Sequence, residues 1–419
     1  MQEKYKSMNK VPNLRFPEFH ADENSSYRKH FFKDIFLFST GKNIKQNEAS
    51  PEFEIPCVRY GELYHMYNEV INEVINKTNL DKSELLFSQG DEILLPSAGE
   101  DPLDIGSASA LTIENVAIGR TINILKPLTA NLYSHIYVAY YINQKLRKKI
   151  STLAKGSSIS NVYNSDLKTL EIILPNLNEQ QKIASFISLA DERIQTQSKI
   201  IEELKVLKST ISKKIFSQQL RFKDNGANDF PDWDVRKLEE VCEIVKSGGT
   251  PTSTNKNYYN GDIPFLSISD MTSQGKYLTK TSNSISNLGL KNSSSWLVPK
   301  YSLVYSMYAS VGFVAINKIP IATSQAVLNL ILKKEVNLEF MYYTLIDFQK
   351  NIAQFITTGT QGNLNAQSVK NFNISIPSSS EQIKIASFLS QIDEKIEIEK
   401  QLLIQYENQK KYLLQNMFV

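Results

Sequence analysis

The sequence predicts an α+β fold: two mixed α/β domains separated by an intramolecular antiparallel coiled coil of two long helices, organised as a pseudo-twofold internal repeat. Three observations predict it. A block of 16 residues recurs 202 positions further along. An apolar 3.5-residue period continues from each copy of that block. The 419 residues exceed what one hydrophobic core usually holds.

The repeat decides the rest. Glu179-Gln-Gln-Lys-Ile-Ala-Ser-Phe-Ile-Ser-Leu-Ala-Asp-Glu-Arg-Ile194 returns as Glu381-Gln-Ile-Lys-Ile-Ala-Ser-Phe-Leu-Ser-Gln-Ile-Asp-Glu-Lys-Ile396. The same offset pairs Tyr140-Tyr141 with Tyr342-Tyr343, and the strand-like Leu170-Glu-Ile-Ile-Leu-Pro175 with Phe372-Asn-Ile-Ser-Ile-Pro377. Nearer the front it loosens to 206, where Leu14-Arg15-Phe16 matches Leu220-Arg221-Phe222 and Ile105-Gly106 matches Val311-Gly312, as small loop insertions would cause. The chain is two copies of one unit, each a variable block of about 150 residues followed by a near-constant helical block. The boundaries read 1–175 for the first variable domain, 176–220 for the first helix, 221–377 for the second domain and 378–419 for the second helix.

Stepping four and three through the first constant block meets Ile183, Ile187, Ala190, Ile194, Gln197, Ile201, Leu204, Lys208, Ile211 and Ile215. The second block gives Ile385, Leu389, Ile392, Ile396, Glu399, Leu403, Tyr406, Lys410, Leu413 and Met417, with its polar members at the same two places. A 3.5 period kept for about five heptads without Pro or Gly is a coiled-coil seam. Each helix should run about 38 to 40 residues, about 60 Å at 1.5 Å per residue. Capping-box spacings, Asn176 with Glu179 and Ser378 with Glu381, mark the starts just after Pro175 and Pro377. Two seams in one chain satisfy each other at the effective concentration of a tether, and an antiparallel pairing would carry the variable domains to opposite ends. Homodimerisation through the same helices is the competing reading.

Composition excludes several classes. Lys plus Arg (47) barely exceeds Asp plus Glu (44), for a net charge of +3 and pI near 8.4, so nucleic-acid binding has to come from local basic faces. Two cysteines and four histidines show no zinc-ligand spacing, and neither a structural metal nor a disulfide is expected. Met1 to Lys10 is polar, and the longest apolar stretch, around Ile136 to Ile142, is too short to span a bilayer, so a cytoplasmic chain is expected.

At this point the chain resembles the type I restriction-modification specificity subunits, whose plan alternates target-recognition domain and helix twice. The carriers are Leu14-Arg-Phe-Pro-Glu-Phe19, Asp229-Phe-Pro-Asp-Trp233, Ser247-Gly-Gly-Thr-Pro251 with Tyr258-Tyr259, and the two Glu-Gln-x-Lys-Ile-Ala-Ser-Phe helix openings. The resemblance covers nearly the whole chain. It implies a non-catalytic protein that binds an asymmetric, bipartite double-stranded DNA target, each recognition domain reading one half. It implies further that the partners are modification subunits carrying S-adenosylmethionine and restriction subunits carrying ATP, Mg and the motor-nuclease. Two equivalent helix openings suggest two modification subunits per chain, with Gln180, Lys182, Gln382 and Lys384 as outward contacts.

The DNA-contact candidates are basic, aromatic and amide side chains around strand ends. Lys42, Lys45, Arg59, Tyr60 and Tyr64 cluster in the first block, where Arg can bind guanine bidentately and Lys can neutralise phosphate. Ser97 follows the strand Glu92-Ile-Leu-Leu95, in what is otherwise a plain turn. Arg120 ends the strand-like Val116-Ala-Ile-Gly-Arg120 and corresponds to Gln325 at an offset of 205. In the second block, Ser247-Gly248-Gly249-Thr250 is either a tight turn or a phosphate cradle. Thr250, Lys256, Tyr258 and Tyr259 join it, and Lys276, Lys280 and Tyr308 are lesser candidates, with aromatic packing as the other role for the tyrosines. The run Thr357 to Asn365, matching Lys155 to Asn161, reads as a polar loop, a hinge or a backbone contact.

No Gly-x-Gly, Pro-Pro or Gly-x-x-x-x-Gly-Lys occurs, so neither a self-contained methyltransferase nor an ATPase is expected, and no acidic cluster reads as a nuclease. The alternative function is a non-catalytic coiled-coil scaffold with duplicated protein-binding modules, which would lack salt-dependent DNA affinity.

Overall fold

The fold is that of a computed structural model, described over residues 11–20, 26–156, 158–355 and 364–419. Met1 to Lys10, Ser157 and most of the polar run from Thr357 therefore lie outside the described residues. Two compact units divide the chain: unit 1 is Met1–Ser198 together with Gln401–Val419, and unit 2 is Lys199–Lys400.

In unit 1 the strands are β1 (Arg28–Phe31), β2 (Phe36–Thr40), β3 (Ile55–Val58), β4 (Val70–Ile71), β5 (Lys77–Thr78), β6 (Phe87–Gln89), β7 (Glu92–Pro96), β8 (Ser109–Leu111), β9 (Glu114–Ile118), β10 (Ile122–Pro127) and β11 (Glu171–Leu174). A mixed five-stranded sheet runs β2-β10-β7-β8-β4, with only the β4–β8 edge parallel. A four-stranded sheet runs β5-β3-β9-β6, with β3 and β9 parallel. Helix α1 (His135–Tyr141) is capped by Ser134. Its apolar side chains bury Ile93, Leu95 and Leu125, because the inward positions of the sheet are branched or aliphatic.

Unit 2 repeats the plan. Its strands are β12 (Asp234–Lys237), β13 (Cys242–Ser247), β14 (Tyr259–Leu266), β15 (Tyr277–Leu278), β16 (Asn283–Ile285), β17 (Leu303–Ser306), β18 (Val314–Asn317), β19 (Ala322–Thr323), β20 (Val327–Leu332) and β21 (Asn373–Ile376). The five-stranded sheet β13-β20-β17-β18-β15 has the same pattern of directions as its counterpart, again with one parallel edge. In the smaller sheet, β14 and β19 are parallel as β3 and β9 are.

The long helices are α2 (Leu177–Phe216) and α4 (Ser379–Met417); α3 (Leu338–Phe348) of unit 2 matches α1. Within unit 1, Ile183 and Ile187 of α2 share a core with Leu413 and Met417 of α4. Within unit 2, Ile211 and Ile215 of α2 pack with Ile385 and Leu389 of α4. In unit 1 Asp191 meets Lys410 and Arg193 meets Tyr406, ascending numbers on one helix against descending numbers on the other, so the pairing there is antiparallel.

Each helix opening is pinned by a buried carboxylate. Glu179 accepts from Arg15 Nε at 2.7 Å and from the Tyr27 hydroxyl at 3.0 Å. Glu381 accepts from Arg221 Nη2 at 2.8 Å and from Trp233 Nε1 at 3.2 Å. The Leu-Arg-Phe repeats thus supply the arginines that neutralise these charges.

Candidate nucleic-acid interface

Four strand ends converge on one edge of unit 1. The chain leaving β2 is held by Gly41 N–H to Ile122 O at 3.0 Å and Lys42 N–H to Ile118 O at 2.9 Å. Gly119 N–H donates to Val58 O at 2.8 Å, Arg120 N–H to Asn43 O at 2.8 Å, and Ser97 N–H to Thr121 O at 2.8 Å. These bonds gather Lys42, Arg59, Ser97 and Arg120. A Cβ on Gly41 would fall 1.9 Å from Gly119 O, so only glycine permits this approach.

Unit 2 builds the same edge. Gly248 N–H donates to Val327 O at 3.3 Å, Gly249 N–H to Thr323 O at 2.9 Å, and Met307 N–H to Ala326 O at 2.9 Å. A Cβ on Gly248 would meet Thr323 O at 1.9 Å. The edge gathers Thr250, Tyr308 and Gln325, and the Thr250 hydroxyl donates to Gln325 Oε1 at 2.7 Å. The phosphate-cradle reading of Ser247 to Thr250 is corrected: neither glycine is left-handed, and both amides already bond the neighbouring strand.

One member was missed in the sequence. Ile55-Pro-Cys-Val-Arg59 matches Ile263-Pro-Phe-Leu-Ser267 at an offset of 208, and the parallel registers Val58 with Ile118 and Leu266 with Thr323 superpose the two. Ser267 therefore stands where Arg59 stands. Both are tied to an acid three residues on: Arg59 Nε donates to Glu62 at 2.7 Å, and the Ser267 hydroxyl to Asp270 at 2.7 Å. The repeated Ile-Pro strand was the available signal.

The remaining candidates fall as follows. Lys45 is exposed, 3.9 Å from Glu48. Tyr60 and Tyr64 sit on the turn after Arg59, ring centroids 6.4 Å apart. Lys256 and Tyr258 form a single turn leading into β14, and Tyr259 donates to Pro251 O at 2.5 Å, which ties that turn to the glycine loop. Lys280 is exposed in the loop held by Gln274, close in sequence to Ser282, whose N–H donates to Asp270 at 3.1 Å. Lys276 is not brought to the edge. It lies against the helices, 2.5 Å from Glu339 and 2.7 Å from the Tyr343 hydroxyl.

The outward reading of Gln180 and Gln382 is also corrected. Both are buried, accepting from the N–H of Ser134 at 3.0 Å and Asn337 at 2.8 Å while donating to the carbonyls of Pro175 and Pro377. One seam step back from Ile183 or Ile385 lands on them, which explains the burial. Lys182 remains exposed beside Glu18, and Lys384 donates to Lys223 O at 2.7 Å.

Among the described residues no group of three or more His, Cys, Asp or Glu is placed to hold a metal ion. No described helix is long and apolar enough to cross a membrane. Chemically, the edges offer hydrogen-bond donors and amides on rigid strand ends, suited to recognition.

The family model for the type I restriction modification DNA specificity domain matches this chain twice, over residues 24–206 and 231–408, one match per repeat. The type I restriction enzyme MjaIX specificity subunit of Methanocaldococcus jannaschii is 32% identical over 192 residues, 44% of this chain and 44% of that protein, so the chain spans less than half the length of this relative. The MjaVIII specificity subunit of the same organism is 25% identical over 368 residues, 84% of this chain and 82% of its own. The crystal structure of a type I restriction-modification system S subunit from M. genitalium is similar with a TM-score of 0.61 at 19% identity, covering 98% of this chain and 99% of that one. At that identity the likeness is one of fold.

Proposed function

The chain belongs to the family of type I restriction modification DNA specificity domains, and from that membership we propose that it selects the DNA sequence on which a restriction-modification complex acts, each unit reading one half of a bipartite target. Its part is specificity, without catalysis of its own. One observation carries the division into halves: the two units share the same backbone frame at the strand-end edge yet differ in the side chains it exposes. A duplicated chassis with divergent tips is what reading two different half-sites requires.

The chemistry belongs to partners. Modification subunits supply S-adenosylmethionine, and restriction subunits supply ATP, Mg and the nuclease. Two modification subunits dock per chain, one at each repeated helix opening, where Lys182 and Phe186 on the first helix and Ile383 on the second are exposed. The test is genome-wide mapping of methylated bases in cells expressing the chain with its modification subunit, against cells lacking the chain. A single split motif with a fixed gap, present only with the chain, is expected. An assembled complex that leaves methylation unchanged returns the scaffold reading.

A further inference from the structure

We infer that Arg120 and Gln325 are the base-selecting residues of the two units, Arg120 taking guanine and Gln325 adenine. The inference rests on the DNA-reading function proposed above. The two residues occupy one place in the repeated frame. Each is the second residue after its strand, β9 or β19, and stands two residues before the next, β10 or β20. The residue after each accepts the same backbone bond, from Ser97 in unit 1 and from Met307 in unit 2. Both side chains are exposed.

Their chemistry differs in a way that maps onto base edges. Among the described residues the Arg120 side chain has no hydrogen-bond or ion-pair partner, whereas neighbouring Arg59 is engaged by Glu62. A free guanidinium is a fork of donors with no acceptor, complementary to the O6 and N7 acceptors of guanine. Gln325 is oriented instead. Because the Thr250 hydroxyl donates to Oε1, the amide plane is held while its two N–H donors and one lone pair remain available. That set matches adenine, which offers N7 as acceptor and the N6 amino group as donor. The backbone around Arg120 is held in costly conformations: Thr121 at φ 67°, Asn43 at φ 52° and β-branched Ile44 at φ 54°. Strain of this kind persists where the surroundings over-determine it, and it clusters at functional sites.

The test compares the methylated motif in cells carrying the modification subunit with the wild-type chain, Arg120→Gln, Gln325→Arg or Thr250→Val. Arg120→Gln should erase a guanine preference at one position of one half-site, by about 5- to 150-fold over competing bases. Gln325→Arg should turn an adenine into a guanine in the other half, and Thr250→Val should blur that same adenine. Retention of the wild-type motif by both Arg120→Gln and Gln325→Arg overturns the inference. So does a uniform fall in methylation with no position altered, the mark of a phosphate contact. A wild-type motif with no G·C pair in either half overturns the Arg120 assignment without any variant. If the wild-type chain directs no split motif, the proposed function itself fails, and that outcome is distinct from the others.

Discussion

The hydroxyl of Tyr140 donates to Asp191 Oδ2 at 2.5 Å, joining the recognition block of unit 1 to the long helix on which it rests. Lys410 completes the junction, 2.6 Å from Asp191 and 3.1 Å from Glu69. In unit 2 Tyr343 donates to Asp393 at 2.5 Å, and Lys208 pairs with that same aspartate. Burial pushes the Asp191 carboxyl above its ordinary value, against the pull of Lys410. Burial alone would lower Lys410, but Glu69 and Asp191 together outweigh it and hold the ammonium above its ordinary value.

Tyr140→Phe removes a hydrogen bond to a charged group at a position with no exposure, a loss of about 1.5–3 kcal/mol. Unit 1 should melt earlier by about 2–4 °C per kcal/mol while unit 2 keeps its midpoint. Differential scanning calorimetry of the variant beside Tyr343→Phe checks this: each substitution should move a different transition.

Glu179→Gln keeps the side-chain volume but takes the counter-charge from Arg15. Breaking a buried pair typically costs about 3–5 kcal/mol. Glu381→Gln should cost less, because the Arg221 side chain is 23% exposed against 11% for Arg15, so water screens more of the charge left behind. Urea titration of both variants tests the order; equal losses would contradict it.

Cys57 and Cys242 are free and buried, and burial pushes both thiols up to about 12. Neither should react with maleimide at neutral pH until its unit opens. Because one lies in each unit, labelling followed by peptide mass spectrometry reports the two unfolding events separately. Rapid labelling of either under native conditions would show the packing described here to be wrong.

Acid should weaken unit 1 first. Burial lowers both His30 and His135 below the ordinary histidine value of 6.5, and unit 2 contains no histidine. A depressed value means the fold prefers the neutral ring, so the contribution is intact above 6.5 and is lost as pH falls below it toward the folded value. Cys57 labelling, divided at each pH by the rate of the same thiol in the urea-unfolded chain, should rise between about pH 7 and 5 while the same ratio for Cys242 does not, and His135→Gln should flatten the slope. Identical pH profiles for the two cysteines would refute the assignment.

Much of the architecture is legible in the sequence because its signals are periodic. A 3.5 repeat without Pro or Gly leaves few alternatives to long paired helices, and a recurring Glu-Gln-x-Lys-Ile-Ala-Ser-Phe places them twice. What escaped depends on registers that shift inside loops. The 202-residue offset pairs Tyr140 with Tyr342, but Tyr343 makes the equivalent bond, since the helix caps Ser134 and Asn337 are one residue further apart than the long helices are. Ser267 was invisible for the same reason. Lys276 carries no local mark distinguishing a surface lysine from one drawn beneath α3, because Glu339 and Asp393, which hold it there, lie far along the chain.

The core of unit 1 is closed by Leu413, Met417 and Phe418, the last with its ring 5.0 Å from that of Tyr137. A ribosome makes every residue of unit 2 before it reaches them. The usual order of synthesis, in which the leading domain folds first, is thereby inverted: the domain that emerges first is the last to complete its packing, and translation of the whole second domain elapses while Tyr137 and Tyr141 await their cover.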